Sequence, residues 1–336
     1  MKKISFFKQV SEIDAGQWSA LVMASSVASF FQTKDCYDFY DSLPFLEAFV
    51  FGVQENDALK GVVVGYIQKD GGKVKRFFSR RAIINGGPLL ADDISEEAVE
   101  ALLKGSANIL RKKAIYIETR NFNDYSRWKT VFLECRFLYE PHYNFQVDTS
   151  SVGLAEQNVG KSRKRDIRTS LRDGATVVDD PNEKEVKELY ELLSELYRKK
   201  VKTPLFPYDF FKRLYESDFG RFILVRYNDC IIGGTVCVCL NNKVMYEWFA
   251  CGKDGQFKNI YPSTLATWSG ILYAANHGFK CFDMMGAGKP GDGGYGVRDF
   301  KAKFGGQLVE HGRFLFICDK LLLKIGTIGV KILKKK

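Results

Sequence analysis

Glu247 in YEWF, Asp283 in FDMM and Lys301 in RDFKAKFGG are the residues of this chain best suited to chemistry. Glu247 and Asp283 read as carboxylates on adjacent strand ends, where either can take a proton from a nucleophile if its surroundings tune its pKa, although such residues often only anchor loops. Lys301 sits in YGVRDFKAKFGGQ (295–307), where lysines, aromatics and a glycine pair crowd together. That stretch reads either as a solvated helix-to-strand junction or as the setting of a functional lysine. A protein nucleophile finds no support: no G-x-S-x-G elbow is present. The three histidines do not suggest a triad, since His277 closes a helix and His311 lies beside Glu310 in the closing strand. GAGKPGDGGYG (286–296) lacks the strand–GxxxxGK[ST]–helix context of a P-loop and reads as a loop over a cleft.

A second group of residues suits anions. In KSRKRDIRTSLR, Lys161, Arg165, Arg168 and Arg172 recur at i, i+4, i+7 and i+11 and so share one helical face, which Arg163 and Lys164 widen. Phosphates along a polyanion such as RNA fit this stripe, which is otherwise a plain surface helix. No aromatics interleave with it, so it is not a platform for stacking single-stranded bases. The tail KLLLKIGTIGVKILKKK places Lys320, Lys324, Thr327 and Lys331 on one face and Leu321, Ile325, Ile328 and Ile332 on another. Such a helix either rests on an anionic membrane surface or docks on the protein.

The elements that must position these residues form an internal repeat. FVFGVQENDALKGVVVGYI (49–67) and RFILVRYNDCIIGGTVCVC (221–239) each read as strand, two-residue turn, strand, with Asn56-Asp57 matching Asn228-Asp229 and Gly61 matching Gly233. A third strand follows in each half, VKRFFSR and VMYEWFA. Next come a helix (SEEAVEALLKGSANILRKK, PSTLATWSGILYAANHG) and a strand (AIYIETR, KCFDMMG). Lys129 and Phe132 then align with Lys301 and Phe304 at the same offset as the turns. An α+β duplication follows: two mixed α/β sandwich units with a cleft between them. The first takes residues 1–150 with 318–336, and the second takes 151–317 with a basic helix at 160–173.

The chain has 336 residues, 46% of them hydrophobic, and a formal net charge of +10, which favours anionic partners. The start, MKKISFFKQVSEID, is interrupted by Lys8, Gln9 and Glu12 and does not form a signal region. No apolar run is long enough to span a bilayer. A cytoplasmic protein is expected, soluble or peripheral on the inner face of the membrane. Its eight cysteines are then thiols, and Cys237 and Cys239 in TVCVCL share one face of a strand.

NIYPSTLATWSGILYAANHGFKCFDMMGAG followed by RDFKAKFGG resembles the Fem (FemABX) peptidyltransferases and related GNAT-type acyltransferases. Pro262, Gly278, Asp283, Phe300, Lys301, Phe304, Gly305 and Gly306 follow that family's order, and the basic helix falls where the family has its own basic segment. The resemblance implies two tandem GNAT-like domains. It also implies transfer of an aminoacyl group from aminoacyl-tRNA to an amine of a cell-wall precursor, without a resident cofactor or metal. Direct transfer needs only a neutral amine, a base and oxyanion stabilisation once the substrates lie side by side. The resemblance gives Lys301 a contact to the donor's phosphates or to the reacting carbonyl oxygen, with Glu247 and Asp283 as candidate bases. Tyr246, Tyr261, Phe300, Phe304, Gly286 and Gly288 are the expected substrate contacts.

Two departures stand out. The helical arm of some members is absent, and Lys34 precedes Tyr37 in FFQTKDCYDFYDS, so the family's N-terminal substrate lysine is not carried over. GNAT enzymes that use CoA cradle its pyrophosphate on a glycine-bearing loop before the central helix. Here that place reads QFKNIYP, with Asn259 and Tyr261 replacing the glycines. An acyl-CoA-dependent N-acyltransferase acting on an amino sugar or a similar metabolite is the second expectation. A non-catalytic RNA- or membrane-binding protein on the same fold is the third.

Overall fold

The computed structural model describes residues 3–68, 79–240, 242–291 and 296–326. The chain divides into two units, 1–141 with 311–336 and 142–310. Strands β1 (Ile4–Phe7), β2 (Leu46–Glu55), β3 (Ala58–Gln68), β4 (Arg81–Gly86), β5 (Leu89–Leu90), β6 (Tyr116–Asn121) and β7 (Leu138–Glu140) lie in the first unit. Strands β8 (Tyr143–Asp148), β9 (Thr176–Val178), β10 (Gly220–Tyr227), β11 (Cys230–Leu240), β12 (Val244–Gly252), β13 (Cys281–Gly286) and β14 (Gln307–Glu310) form the second sheet. Strand β15 (Arg313–Ile317) belongs to the first unit again.

The duplicated hairpin is where sequence dictates structure most directly. Asn56 and Asp57 have φ of 51° and 64°, and Asn228 and Asp229 have 48° and 57°. Two consecutive left-handed residues make the tight turn whose twist suits a hairpin, and Asn and Asp tolerate that backbone. In each unit one helix packs its apolar face on the sheet. Glu96–Leu110 is capped by Ser95 and buries Val99, Leu102 and Leu103, whereas Pro262–Asn276 buries Leu265, Ala266 and Ile271. Removing a leucine of this kind from water stabilises by roughly 2 kcal/mol. Cys237 and Cys239 both lie in the second core, where burial raises their thiol pKa values.

Three details differ from the sequence expectation. The third strand of the first unit is β4, starting at Arg81; residues 74–78 of VKRFFSR lie outside the described residues. The units also divide at 141/142 and 310/311 rather than at 150/151 and 317/318, because β8, just before the expected junction, joins the second sheet, and β15, late in the chain, returns to the first. β8 inserts between β13 and β14, and β15 inserts between β6 and β7. Finally, Lys129 is not the counterpart of Lys301. Lys129 opens the helix Lys129–Glu134 and sets its Nζ 3.9 Å above the Tyr139 ring, while Lys301 is next to last in Gly296–Ala302. The hairpins keep one offset, but connections of different length after them shift everything that follows.

One contrast between the sheets positions the site. β4 and β6 pair in parallel along their whole length, from Arg81↔Tyr116 to Gly86↔Asn121. β12 and β13 pair only from Val244↔Cys281 to Tyr246↔Asp283, although β12 runs on to Gly252 and β13 to Gly286. The second sheet therefore opens beyond Tyr246 and Asp283, and the first does not.

Candidate active site

Glu247 and Asp283 stand at the mouth of this opening, within their strands rather than at the strand ends. Glu247 follows the last residue of β12 that pairs with β13, and on its other side pairs with Cys237 at a register shift in β11. Its carboxylate is buried, and its Oε1 accepts hydrogen bonds from Thr235 Oγ1 (3.2 Å) and Thr267 Oγ1 (2.9 Å). Burial raises its pKa above the ordinary carboxylate range, and Lys301 acts against that rise. The two threonines were not singled out from the sequence. A hydroxyl inside an apolar strand and another inside a buried helix face both need an acceptor, and that is the signal they carried.

Asp283 is fully buried. Its Oδ1 accepts from the Met285 amide (2.6 Å) and its Oδ2 from Gln146 Nε2 (3.1 Å). Burial raises its pKa to about 6, against the pull of these two donors and of Lys301. The Met285 bond fixes an irregular strand end: Met285 has φ of 58°, and the β13–β8 register shifts between Asp283 and Gly286. A side chain in the left-handed region costs about 1–2 kcal/mol, so the surroundings must hold it there.

Lys301 completes that support. Its Nζ donates to the main-chain oxygens of Met284 and of Gly286, the latter at 2.9 Å. Burial lowers its pKa, while Glu247 and Asp283 act to raise it. An ammonium has three donors, so one N–H remains beyond these two bonds. The opening thus brings one cation together electrostatically with two carboxyl groups, one of them titrating near neutrality. That combination can hold a developing oxyanion and take up a proton.

The expected substrate contacts are distributed unevenly. Tyr246 is buried beside Asp283, and Tyr261 is half-buried at the head of the helix Pro262–Asn276. Phe304 is fully buried and Phe300 half-buried, meeting edge-on at 5.3 Å. Gly286 accepts from Lys301, and Gly288, at φ 82°, accepts from the Tyr143 amide. Residues 292–295 of the glycine-rich segment lie outside the described residues. His277 is the C-cap of its helix, with Nδ1 2.8 Å from the Tyr273 carbonyl oxygen. His311 lies in the connection between β14 and β15 rather than in a strand.

At the head of the helix Pro262–Asn276, the chain occupies its own amides. Ser263 N–H donates to Asp254 Oδ1 (3.1 Å), and Tyr261 N–H donates to Ser170 Oγ (2.9 Å). A carboxylate at a helix N-terminus is favourable in itself and repels a second anion there.

The basic helix spans Lys161–Arg172. Lys161, Arg165, Arg168 and Arg172 are exposed, as their spacing predicts. Arg172 and Arg165 reach the neighbouring Asp173 (2.7 Å) and Asp166 (3.1 Å). Lys164 is half-buried at the edge of the stripe, where it lines a cavity of about 230 Å³ with Arg168 and Trp268. Arg163 does not widen the stripe. It turns inward, donates to Thr264 Oγ1 (3.0 Å) and lies 3.6 Å from Asp166. The tail begins a helix at Lys320 with Leu321 and Ile325 exposed, and 327–336 lie outside the described residues. No helix among the described residues is long and apolar enough to cross a membrane.

Residues 161–301 match the acetyltransferase (GNAT) domain family. Among solved structures, the chain is similar to FemX, with 15% identity and a TM-score of 0.70 over 93% of this chain and 98% of that one. A tandem GNAT protein from the clavulanic acid biosynthesis pathway gives 11% identity and a TM-score of 0.60 over 94% and 99%. The C-terminal domain of a putative lysylphosphatidylglycerol synthetase from Agrobacterium fabrum gives 12% and 0.57 over 95% and 96%. A search of the curated proteins found no match. The domain match covers the second unit, and the likeness to FemX and to the tandem GNAT protein gives the whole chain the fold of two tandem GNAT-like units.

Proposed function

We propose that this protein moves an aminoacyl group from aminoacyl-tRNA directly to an amine of a cell-envelope precursor. The amine nitrogen attacks the ester carbonyl, the new C–N bond forms, and the ester C–O bond breaks to release the tRNA hydroxyl. Asp283, or Glu247 beside it, takes the amine proton and returns it to that hydroxyl. Lys301 faces the carbonyl oxygen as negative charge builds on it.

The observation that carries the choice of donor is the head of the helix Pro262–Asn276, where Asp254 and Ser170 hold amides that a CoA pyrophosphate would need. An exposed basic stripe on the neighbouring helix offers the donor's phosphates another place to bind. FemX and the lysylphosphatidylglycerol synthetase domain share the architecture, and the latter's name joins a lysyl group to a phospholipid. A lipid-linked or nucleotide-linked acceptor also suits a basic tail with exposed Leu321 and Ile325, which would place the protein peripherally on the inner membrane face. The second reading, an acyl-CoA-dependent N-acyltransferase, draws on the acetyltransferase domain match.

Binding of the purified protein to aminoacylated tRNA and to acetyl-CoA separates the two. The proposal expects salt-dependent tRNA binding and no saturable acetyl-CoA binding. Saturable acetyl-CoA binding without tRNA affinity would reject it in favour of the second reading.

A further inference from the structure

Arg163 is the basic residue whose place the helical spacing misassigns, and its surroundings give it a different role. Its guanidinium lies 4.5 Å from the Phe300 ring centre and 5.4 Å from that of Phe304. One of these rings precedes Lys301 and the other follows it by three residues. The Arg163 side chain is 12% exposed, and its Nε is buried without a hydrogen-bond partner among the described residues. Two further fastenings join the same segments. Gly160 N–H donates to the Lys303 carbonyl (2.9 Å). Gly305 has φ of 79°, and a Cβ there would stand 2.1 Å from the Asn158 carbonyl oxygen, so the backbones meet where no side chain fits. Residues 158–163 therefore grip 300–305 before, across and beyond Lys301. Phe300, Phe304 and Gly305, which make the Lys301 segment distinctive in sequence, are spent on holding the basic helix.

We propose that Arg163 is a positioning residue that couples anion binding on the exposed face of the basic helix to the placement of Lys301. Lys161, Arg165 and Arg168 face outward while Arg163, on the same rigid turns, faces the two rings. A polyanion that shifts the helix moves the guanidinium against Phe300 and Phe304 and, through them, the helix that carries Lys301. The planar guanidinium suits this task because it stacks on an aromatic face while donating in its own plane, which a lysine ammonium cannot do. This inference rests on the roles proposed above for Lys301 and the stripe.

Trace acetylation with acetic anhydride tests it. Labelling of Lys301 is followed by mass spectrometry across pH, with and without deacylated tRNA, against exposed Lys303 as the internal reference. In the unsubstituted protein, tRNA is expected to change Lys301 labelling by about fivefold while protecting Lys161. Arg163→Met, which keeps length and apolar cover, is expected to label faster at Lys301 without tRNA and to lose the tRNA response, yet to retain tRNA affinity. Arg163→Lys should restore the response only in part, and it carries the test if Arg163→Met does not fold. Loss of tRNA affinity as large as that of Arg165→Ala would make Arg163 a phosphate contact and overturn the proposal. So would an unchanged Lys301 profile in both variants, or a Lys301 in the unsubstituted protein that ignores tRNA. Because labelling needs neither acyl donor nor acceptor, absence of transfer activity would leave this result readable.

Discussion

Replacing Asp283 by asparagine should change how stability depends on pH. Burial raises the Asp283 pKa from its ordinary 3.8 to about 6, so the folded protein holds this proton more tightly than the unfolded chain does. The stabilisation is fully present below pH 3.8 and is lost as pH rises through about 6. At about 1.36 kcal/mol for each tenfold change in proton affinity, the displacement is worth about 3 kcal/mol. D283N cannot titrate. The Gln146 amide can turn to accept from the new Nδ2, and the Met285 amide keeps an oxygen acceptor. The stability of D283N relative to the unsubstituted protein should therefore climb by about 3 kcal/mol between acid and neutral pH. Urea unfolding of both proteins across that range measures it, and taking the difference cancels the titration of every other carboxylate. A difference that is flat with pH, or that falls, would refute the idea that Asp283 is held near neutrality by burial.

Other outcomes follow from the same geometry. Lys301→Met should lower the transfer rate by about 10²–10³-fold, the usual cost of removing an oxyanion donor, in a single-turnover assay with charged tRNA. It should also push the Asp283 pKa higher still, since Lys301 is one of the groups holding it down. Gly305→Ala meets both a left-handed backbone and the Asn158 oxygen, so thermal unfolding should show a loss of at least about 2 kcal/mol. Arg165→Ala and Arg168→Ala should each weaken tRNA binding and reduce its logarithmic salt slope by about 1, as expected for single phosphate contacts.

The hairpins were legible because their turns demand a backbone that few residues tolerate, and Asn-Asp announces it twice. The central helices were legible from Ser95, Pro262 and Gly278, which mark their ends. The exchange of β8 and β15 was not, because a short alternating strand such as YNFQVD states which face is apolar but not which neighbour it joins. The three charged residues of the site were visible by type. Their setting was not, since Thr235, Thr267 and Gln146 reach them from three other elements, Gln146 from 137 residues away. Arg163 shows the limit of helical spacing: the period groups residues by face but does not say which face docks. Phe300 on the helix and Phe304 in the turn just after it, with a glycine pair beyond, were the signal that something must cover them.

The central claim is tested most directly in cells. Mass spectrometry of envelope precursors would compare cells carrying the unsubstituted protein with cells carrying Lys301→Ala at equal abundance. The account predicts an amine-linked aminoacyl group that is present in the first and lost in the second. An identical amine inventory in the two would contradict it.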